Sequence, residues 1–158
     1  MSKWIALVTS SPSDRVPNQR QARHRLEEAG AAVLRDDIYL MPESDACRTM
    51  LETVASDFRL AKGLAFVISI EEPSGGDFAK RFDRGNDYAI LVARIAAIRD
   101  SLAASSATEA VTQVRKLRAT FASLSDIDFF PGESRKQAEL ALLGLEQVVT
   151  GDPDFPAA

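Results

Sequence analysis

The chain has 158 residues, 46% of them apolar and 27% charged, with 19 Lys and Arg against 23 Asp and Glu for a net charge of −4. That composition is ordinary for one domain, or one domain with a helical extension, and it supplies no global basic field with which to grip a nucleic acid. No apolar run approaches the roughly 20 residues a membrane-crossing helix needs. A single cysteine, Cys47, and a single histidine, His24, exclude an intrachain disulfide and a structural zinc site built on Cys and His.

The elements are taken in chain order. "WIALVTS" (4–10) is a short apolar run ending in small polar residues, a strand entering a loop. It is too short for a secretory leader and no small-residue cleavage site follows, so the chain is read as cytoplasmic. "SPSDRVPN" carries two prolines and turn residues. A helix is expected over 18–30, with Asn18 as N-cap and Gln21 as its capping partner. Ala22, Leu26 and Ala29 form its narrow apolar face and Gly30 ends it.

The next stretch, "GAAVLRDDIYLMPES" (30–44), sets Asp36 and Asp37 inside an otherwise apolar run. As one strand it would bury an Arg-Asp-Asp triplet. As a hairpin, "VLR" pairs with "IYLM" and the two acids occupy the turn, where Asp tolerates the positive φ that tight hairpins favour. Neighbouring strand residues point to opposite faces, so the pair does not by itself make a metal site. "PESDACRTMLETVASDFRLAKG" (42–63) reads as a helix capped by Ser44 or Asp45. Met50/Leu51, Val54 and Phe58 face inward and Gly63 ends it. "LAFVISIEE" (64–72) is a strand, and "PSGG" closes this half. The resulting order, strand, helix, strand, strand, helix, strand over 1–74, is the ferredoxin-like pattern: an antiparallel four-stranded sheet with two helices on one face, in the α+β class.

Residues 75–151 read as a helical extension of about three helices, and 152–158 as a loose tail. The first helix is expected over 77–104, with Phe78, Phe82, Ala89, Val92, Ile95 and Leu102 on its inner face and Gly85-Asn86 as a place to bend. "SSAT" links and caps. Val111, Val114, Leu117, Phe121 and Leu124 mark the second helix. "SDIDFFPGE" (125–133) is a loop. The third helix starts at Ser134 with Gln137 as capping partner and turns Ala138, Ala141/Leu142, Leu145 and Val148/Val149 inward.

Two constellations could carry chemistry. Asp126 and Asp128, with Glu133 nearby, have a spacing that presents oxygens to one cation. The simpler reading lets Ile127, Phe129 and Phe130 plug the helix corner into the core while Pro131-Gly132 turns the chain. Basic residues gather in two places: Arg15, Arg20, Arg23 and Arg25, with His24 among them, and Arg115, Lys116 and Arg118, with Arg135 and Lys136 opening the last helix. Such clusters hold phosphates. They also form solvated faces, with Glu27, Glu28 and Glu133 to neutralise them. No GxGxxG, GxxxxGK[ST], GxSxG or HExxH occurs, and no Ser-rich segment has a His placed to activate it, so no catalytic, cofactor-binding or metal-binding residue is assigned. Cys47 reads as a buried thiol.

Four segments, "WIALVTSSPS", "GAAVLRDDIYLMPESDACR", "FDRGNDYA" and "RKLRATFASLSDIDFFPGESRKQAELAL", closely resemble the N-terminal half of ChrB-type chromate-resistance proteins, in the same order. The first half is also similar in pattern to the Cas2-like domain of the phenylacetate repressor family PaaX. The resemblance implies a ferredoxin-like, Cas2-like unit, a homodimer, and a chromate-responsive transcriptional regulator that binds operator or promoter DNA. A C-terminal ChrB domain or a partner chain is a further implied partner, since ChrB-type proteins usually continue into a second half. The Cas2 nucleases carry a metal-binding Asp at the end of the first strand. Thr9 and Ser10 stand there in this chain, with Asp14 further on, which argues against metal-dependent cleavage.

Three functions therefore stand: a non-catalytic regulatory module whose Arg20, Arg23, Arg25, Arg115, Lys116 and Arg118 contact DNA phosphates; a Cas2-like nuclease using Asp14, Asp36 or Asp37; and a pure interaction domain joined through a sheet edge or helical face. No helix-turn-helix is evident, because the "SDIDFFPGE" connection is too long for one.

Overall fold

The structure, a computed structural model, describes residues 3–10 and 16–151. Arg15, Asp14 and the expected tail 152–158 lie outside the described residues. The chain is a mixed α+β protein that divides into two units, one running to Phe82 and the other from Asp83.

The first unit holds four strands and two helices: β1 (Lys3–Ser10), α1 (Val16–Glu28), β2 (Ala32–Arg35), β3 (Ile38–Pro42), α2 (Asp45–Leu60) and β4 (Leu64–Glu71). The strands form one sheet in the order β2-β3-β1-β4, every neighbouring pair antiparallel. β1 is central, which explains why "WIALV" shows no polar alternation: Trp4, Ile5, Ala6 and Leu7 are all buried. The Arg48 guanidinium on α2 donates to the Ser69 hydroxyl at 2.8 Å, which fixes the sheet face bearing Ser69 and its partner Ile5 as the one beneath α2. Leu51, Val54, Ala55 and Phe58 of α2 and Ala22 and Leu26 of α1 fill the core.

Local capping departs from the sequence reading at the start of α1 and at the end of α2, and agrees with it at Gly30 and Ser44. α1 begins at Val16, ahead of Asn18, because Pro17 fits the first helical turn, where its missing N–H costs nothing. At the far end Gly30 has φ 92° and donates to the Glu27 carbonyl at 3.0 Å while Ala31 donates to Leu26 at 2.9 Å, the paired bonds of a left-handed helix stop. α2 is capped by Ser44, whose hydroxyl accepts from the Cys47 N–H at 3.1 Å. Its left-handed stop is Lys62, at φ 66°, not Gly63. Gly63 serves a close approach instead: a Cβ there would lie 3.0 Å from the Ser10 carbonyl oxygen and 3.1 Å from that of Phe58.

Asp36 and Asp37 form the expected turn between β2 and β3. Neither has a positive φ, however, since among the described non-glycine residues only Lys62 and Asp77 do. The ladder slips between Val33 and Arg35, and this irregularity in β2 supplies the twist that a left-handed turn would otherwise provide.

After Glu71 a short 3-10 turn, Phe78–Phe82, belongs with the sheet unit rather than beyond the 74/75 boundary. Its aromatics enclose Trp4: Phe82 stacks at 5.4 Å between centroids and Phe78 meets the indole edge-on at 5.5 Å.

The second unit holds α3 (Gly85–Ser101), a 3-10 turn (Leu102–Ala104), α4 (Ala107–Asp126) and α5 (Glu133–Gly151). With the 3-10 turns counted, the helical elements outnumber the three expected. The single helix expected over 77–104 is broken at 83–84, because the Asp83 carboxylate accepts from the Gly85 N–H at 2.8 Å and starts a new helix. The break resets the phase, so α3 buries Tyr88, Leu91 and Ile95, whereas the expected Ala89 is exposed. α4 opens with a complete capping box from Ser106 and Glu109. α5 starts at Glu133, one position ahead of Ser134. The core joins Ala110, Val114, Leu117, Phe121 and Leu124 of α4 to Ala138, Leu142, Leu145 and Val149 of α5.

Candidate functional site

The basic residues expected to hold phosphates divide by what they touch. On α1, Arg23 Nε donates to Glu27 at 3.0 Å and its Nη1 lies 3.6 Å from Asp36. The hydrogen bond to Glu27 raises the Arg23 pKa. Arg25 pairs with Asp57 at 2.6 Å, tying α1 to α2, and His24 lies 2.9 Å from Glu28. Arg20 is exposed and makes no ion pair among the described residues. On α4, Arg118 makes two contacts to the Glu146 carboxylate of α5, one from Nε at 3.1 Å, and its guanidinium lies 5.5 Å from the Phe121 ring centroid. That carboxylate raises the Arg118 pKa. Arg115 and Lys116 are exposed and have no acidic partner among the described residues.

Arg135 and Lys136, grouped with the α4 cluster in the sequence, are placed elsewhere. Arg118 meets α5 at Glu146, so Arg135 lies about 16 Å further along that helix at 1.5 Å per residue. Three of the six expected phosphate contacts, Arg23, Arg25 and Arg118, are thus held by carboxylates. The other three, Arg20, Arg115 and Lys116, present their charges to solvent.

The two motifs "FDRGNDYA" and "IDFFPGE" converge, which their separation in sequence does not announce. The Tyr88 hydroxyl on α3 donates to Asp128 Oδ2 at 2.8 Å, in a buried contact. Burial and this hydrogen bond raise the Tyr88 pKa from its usual 10.0. Around the pair lies a cleft of about 190 Å³ lined by Arg84, Tyr88, Asp128, Ser134 and Arg135 among others. The corner is therefore plugged in part: Ile127 packs against the helical core and Phe129 is half-buried, as expected, whereas Phe130 is not. Asp128 is buried at 9% exposure and Phe130 is 45% exposed. The reason is the tyrosine: a phenol set into an apolar helix stripe needs a partner for its hydroxyl, and Asp128 is the acceptor that reaches it. Asp126 and Asp128 have different surroundings, the first exposed and the second buried as acceptor to Tyr88. Among the described residues no group of three or more His, Cys, Asp or Glu is placed to hold a metal.

The acids of the β2–β3 turn carry structure through their backbones. Thr9 donates to the Asp37 carbonyl oxygen from its N–H at 2.8 Å and from its hydroxyl at 3.2 Å, and the Tyr39 hydroxyl donates to the Asp36 carbonyl at 3.3 Å. The Asp36 side chain is fully exposed. Thr9, at the end of the first strand, is itself buried and committed to this turn. Cys47 is buried in α2, as expected. No helix among the described residues is long and apolar enough to cross a membrane.

A two-unit α+β chain with basic side chains on α1 and α4 and a buried Tyr–Asp pair joining α3 to the α4–α5 corner is the class of protein that this geometry defines. Among curated proteins, it is similar to Protein ChrB of Cupriavidus metallidurans, with 27% identity over 140 residues, 87% of this chain. The match bears out the ChrB-type resemblance read from the sequence. The chain spans 43% of the length of that relative. No family model matches the chain, and no solved structure does.

Proposed function

We propose that this chain is a regulatory, DNA-associated and non-catalytic part of a chromate-resistance regulator, acting as a cytoplasmic homodimer. The observation that carries the reading is the similarity to Protein ChrB over 87% of the chain. The β-α-β-β-α-β element order and the antiparallel order β2-β3-β1-β4 support a ferredoxin-like, Cas2-like reading of the first unit. A C-terminal ChrB domain or a separate partner chain would complete the regulator. In this reading Arg20, Arg115 and Lys116 contact phosphates directly, and Arg23, Arg25 and Arg118 add field while held in place by their carboxylates. Cleavage is disfavoured because Thr9 stands where a nuclease would need a carboxylate and commits its hydroxyl to the Asp37 carbonyl.

The test is a gel shift on the promoter of the chain's own operon, with and without chromate, over a salt series. Alanine at Arg20, Arg115 and Lys116 should weaken binding similarly across sequences and reduce the salt slope by about one unit per lost contact. Unchanged affinity and slope would remove the DNA assignment and leave the interaction-domain reading.

A further inference from the structure

The cations of the helical unit divide by the side of the bundle they face. Arg118 faces α5 and is held there by Glu146. Lys116 lies two residues back, just over half a turn around α4, and so points away from α5. On α3 a contact with α5 falls at Gly85, where a Cβ would lie 3.6 Å from the Ser134 hydroxyl oxygen. Arg94 comes nine residues, two and a half turns, further on and therefore on the opposite side of α3, also away from α5. α3 and α4 share one core and are joined by a short link, which makes them antiparallel neighbours. Their register is given by Tyr88 and Phe121, whose ring centroids are 6.2 Å apart. Six residues on from Tyr88 is Arg94, and six back from Phe121 is Arg115. Arg94 is thus level with Arg115 and Lys116.

All three side chains are exposed and make no ion pair among the described residues. No acid lies within one turn of Arg94 or Lys116 in the sequence. Along this side the nearest acids are Asp87 and Glu109, each two turns away, about 10 Å along its helix. That exceeds the Debye length of about 8 Å at physiological ionic strength, so neither neutralises the group. Both also have other partners: Asp87 lies 3.8 Å from Arg84, and Glu109 accepts from the Ser106 N–H at 3.4 Å. On α1, by contrast, Arg23 and Arg25 each face a carboxylate. In a chain of net charge −4, an acid-free surface with three cations from two helices is a local reversal of sign.

We propose that the outer face of α3 and α4 binds a phosphodiester backbone, with Arg94 gripping the same stretch of strand as Arg115 and Lys116. Packed helices stand about 8–10 Å apart, and a duplex strand carries one charge per roughly 3.4 Å of axis. Cations on the two helices therefore meet phosphates about two or three apart along one strand. Arg94 stands alone in the apolar run "AILVARIAAI", where no charge run marks it. Its level with α4 is what brings it into the group.

This deepens the DNA-associated reading above and rests on it. The test is fluorescence anisotropy of the full chain on a duplex of its own promoter and on an unrelated duplex, over a salt series. Arg94→Ala should weaken binding several-fold on both and lower the slope of log affinity against log salt by about one unit. Arg94→Lys keeps the charge and should hold the wild-type slope. Arg99→Ala removes the same charge from the same helix, five residues on and turned toward α5, and should leave the slope as it is. If Arg94→Ala fails to fold, acetylation of the wild type decides: bound duplex should slow the modification of Lys116, and an unchanged rate overturns the surface. A wild type that binds neither duplex overturns the DNA reading and this surface with it. A wild type that binds, with a slope that Arg94→Ala leaves unchanged or that Arg99→Ala lowers equally, overturns this surface alone.

Discussion

Two aspartate pairs punctuate this chain, and they meet opposite surroundings. Asp36 and Asp37 sit at the tip of a hairpin in the sheet unit, the first with its side chain fully exposed. Asp126 ends α4 in the helical unit, and Asp128, two residues on, is buried against Tyr88. Residue type does not separate these cases. What separates them is the donor supplied by another element. The hairpin acids are held by Thr9 and Tyr39 through their carbonyls, and the Asp36 carboxylate stands exposed beside Arg23. Asp128 has a phenol aimed at it from α3, and the low-dielectric surroundings make that hydrogen bond worth keeping.

The comparison breaks most readily at Asp128. Replacement by alanine leaves the Tyr88 hydroxyl buried without its acceptor and opens a small void, for an expected loss of about 2–3 kcal/mol. Urea unfolding followed by circular dichroism at 222 nm measures it. Tyr88→Phe removes the donor instead and strands the carboxylate, for about 1–2 kcal/mol. It also carries a pH signature. The folded Tyr88 pKa is raised above its usual 10.0 by burial and by the Asp128 hydrogen bond. The protonated phenol therefore contributes its full stabilisation below pH 10, and that contribution fades as the pH climbs through the higher folded value. The wild type should lose stability faster than Tyr88→Phe above pH 10. Parallel curves would show that the phenol is not held as described.

The contrast also explains what could be read in advance. The sheet unit was largely legible because its signals are local: "WIALVTS" and "LAFVISI" are unbroken apolar runs, Ser44 precedes an apolar helix stripe, and a polar triplet between two apolar runs can only turn. Its misreadings were of detail, such as the left-handed residue being Lys62 rather than Gly63. In the helical unit the stripes of α4 and α5 were legible, yet the phase of α3 was not. It depends on Asp83 restarting the helix, a single side-chain hydrogen bond. The site was hardest of all. Tyr88 and Asp128 are 40 positions apart, and only the incongruity of a phenol in the Tyr88, Leu91, Ile95 stripe hinted that a polar partner had to arrive from elsewhere. Likewise the charge runs on α1 and α4 are visible in the sequence, but not that Asp57 and Glu146 would claim Arg25 and Arg118.

A smaller effect sharpens the comparison within the helical unit. Arg118→Ala loses the Glu146 contacts and the ring contact with Phe121. Because both charged side chains are partly exposed, the expected cost is about 1 kcal/mol. A double-mutant cycle with Glu146→Ala should recover a coupling of about 0.5–1 kcal/mol. A coupling near zero would mean that α4 and α5 are joined by their apolar stripes alone.

The smallest effect belongs to Asp36 and is the control on which the comparison depends. Its carboxylate has one ionic neighbour, Arg23, at 3.6 Å, and Arg23 is already engaged by Glu27 at 3.0 Å. Both side chains are well exposed, so the Coulomb term is screened and ordering them costs side-chain entropy. The backbone at Asp36 has an ordinary negative φ, so alanine meets no strain there. The Tyr39 hydroxyl bonds to the residue's carbonyl, which alanine retains. Asp36→Ala should therefore change stability by no more than about 0.5 kcal/mol, with its midpoint in urea unmoved by added salt. A loss approaching that of Asp128→Ala would show that the hairpin carboxylate carries structural weight of its own, and the distinction between the two pairs would fall.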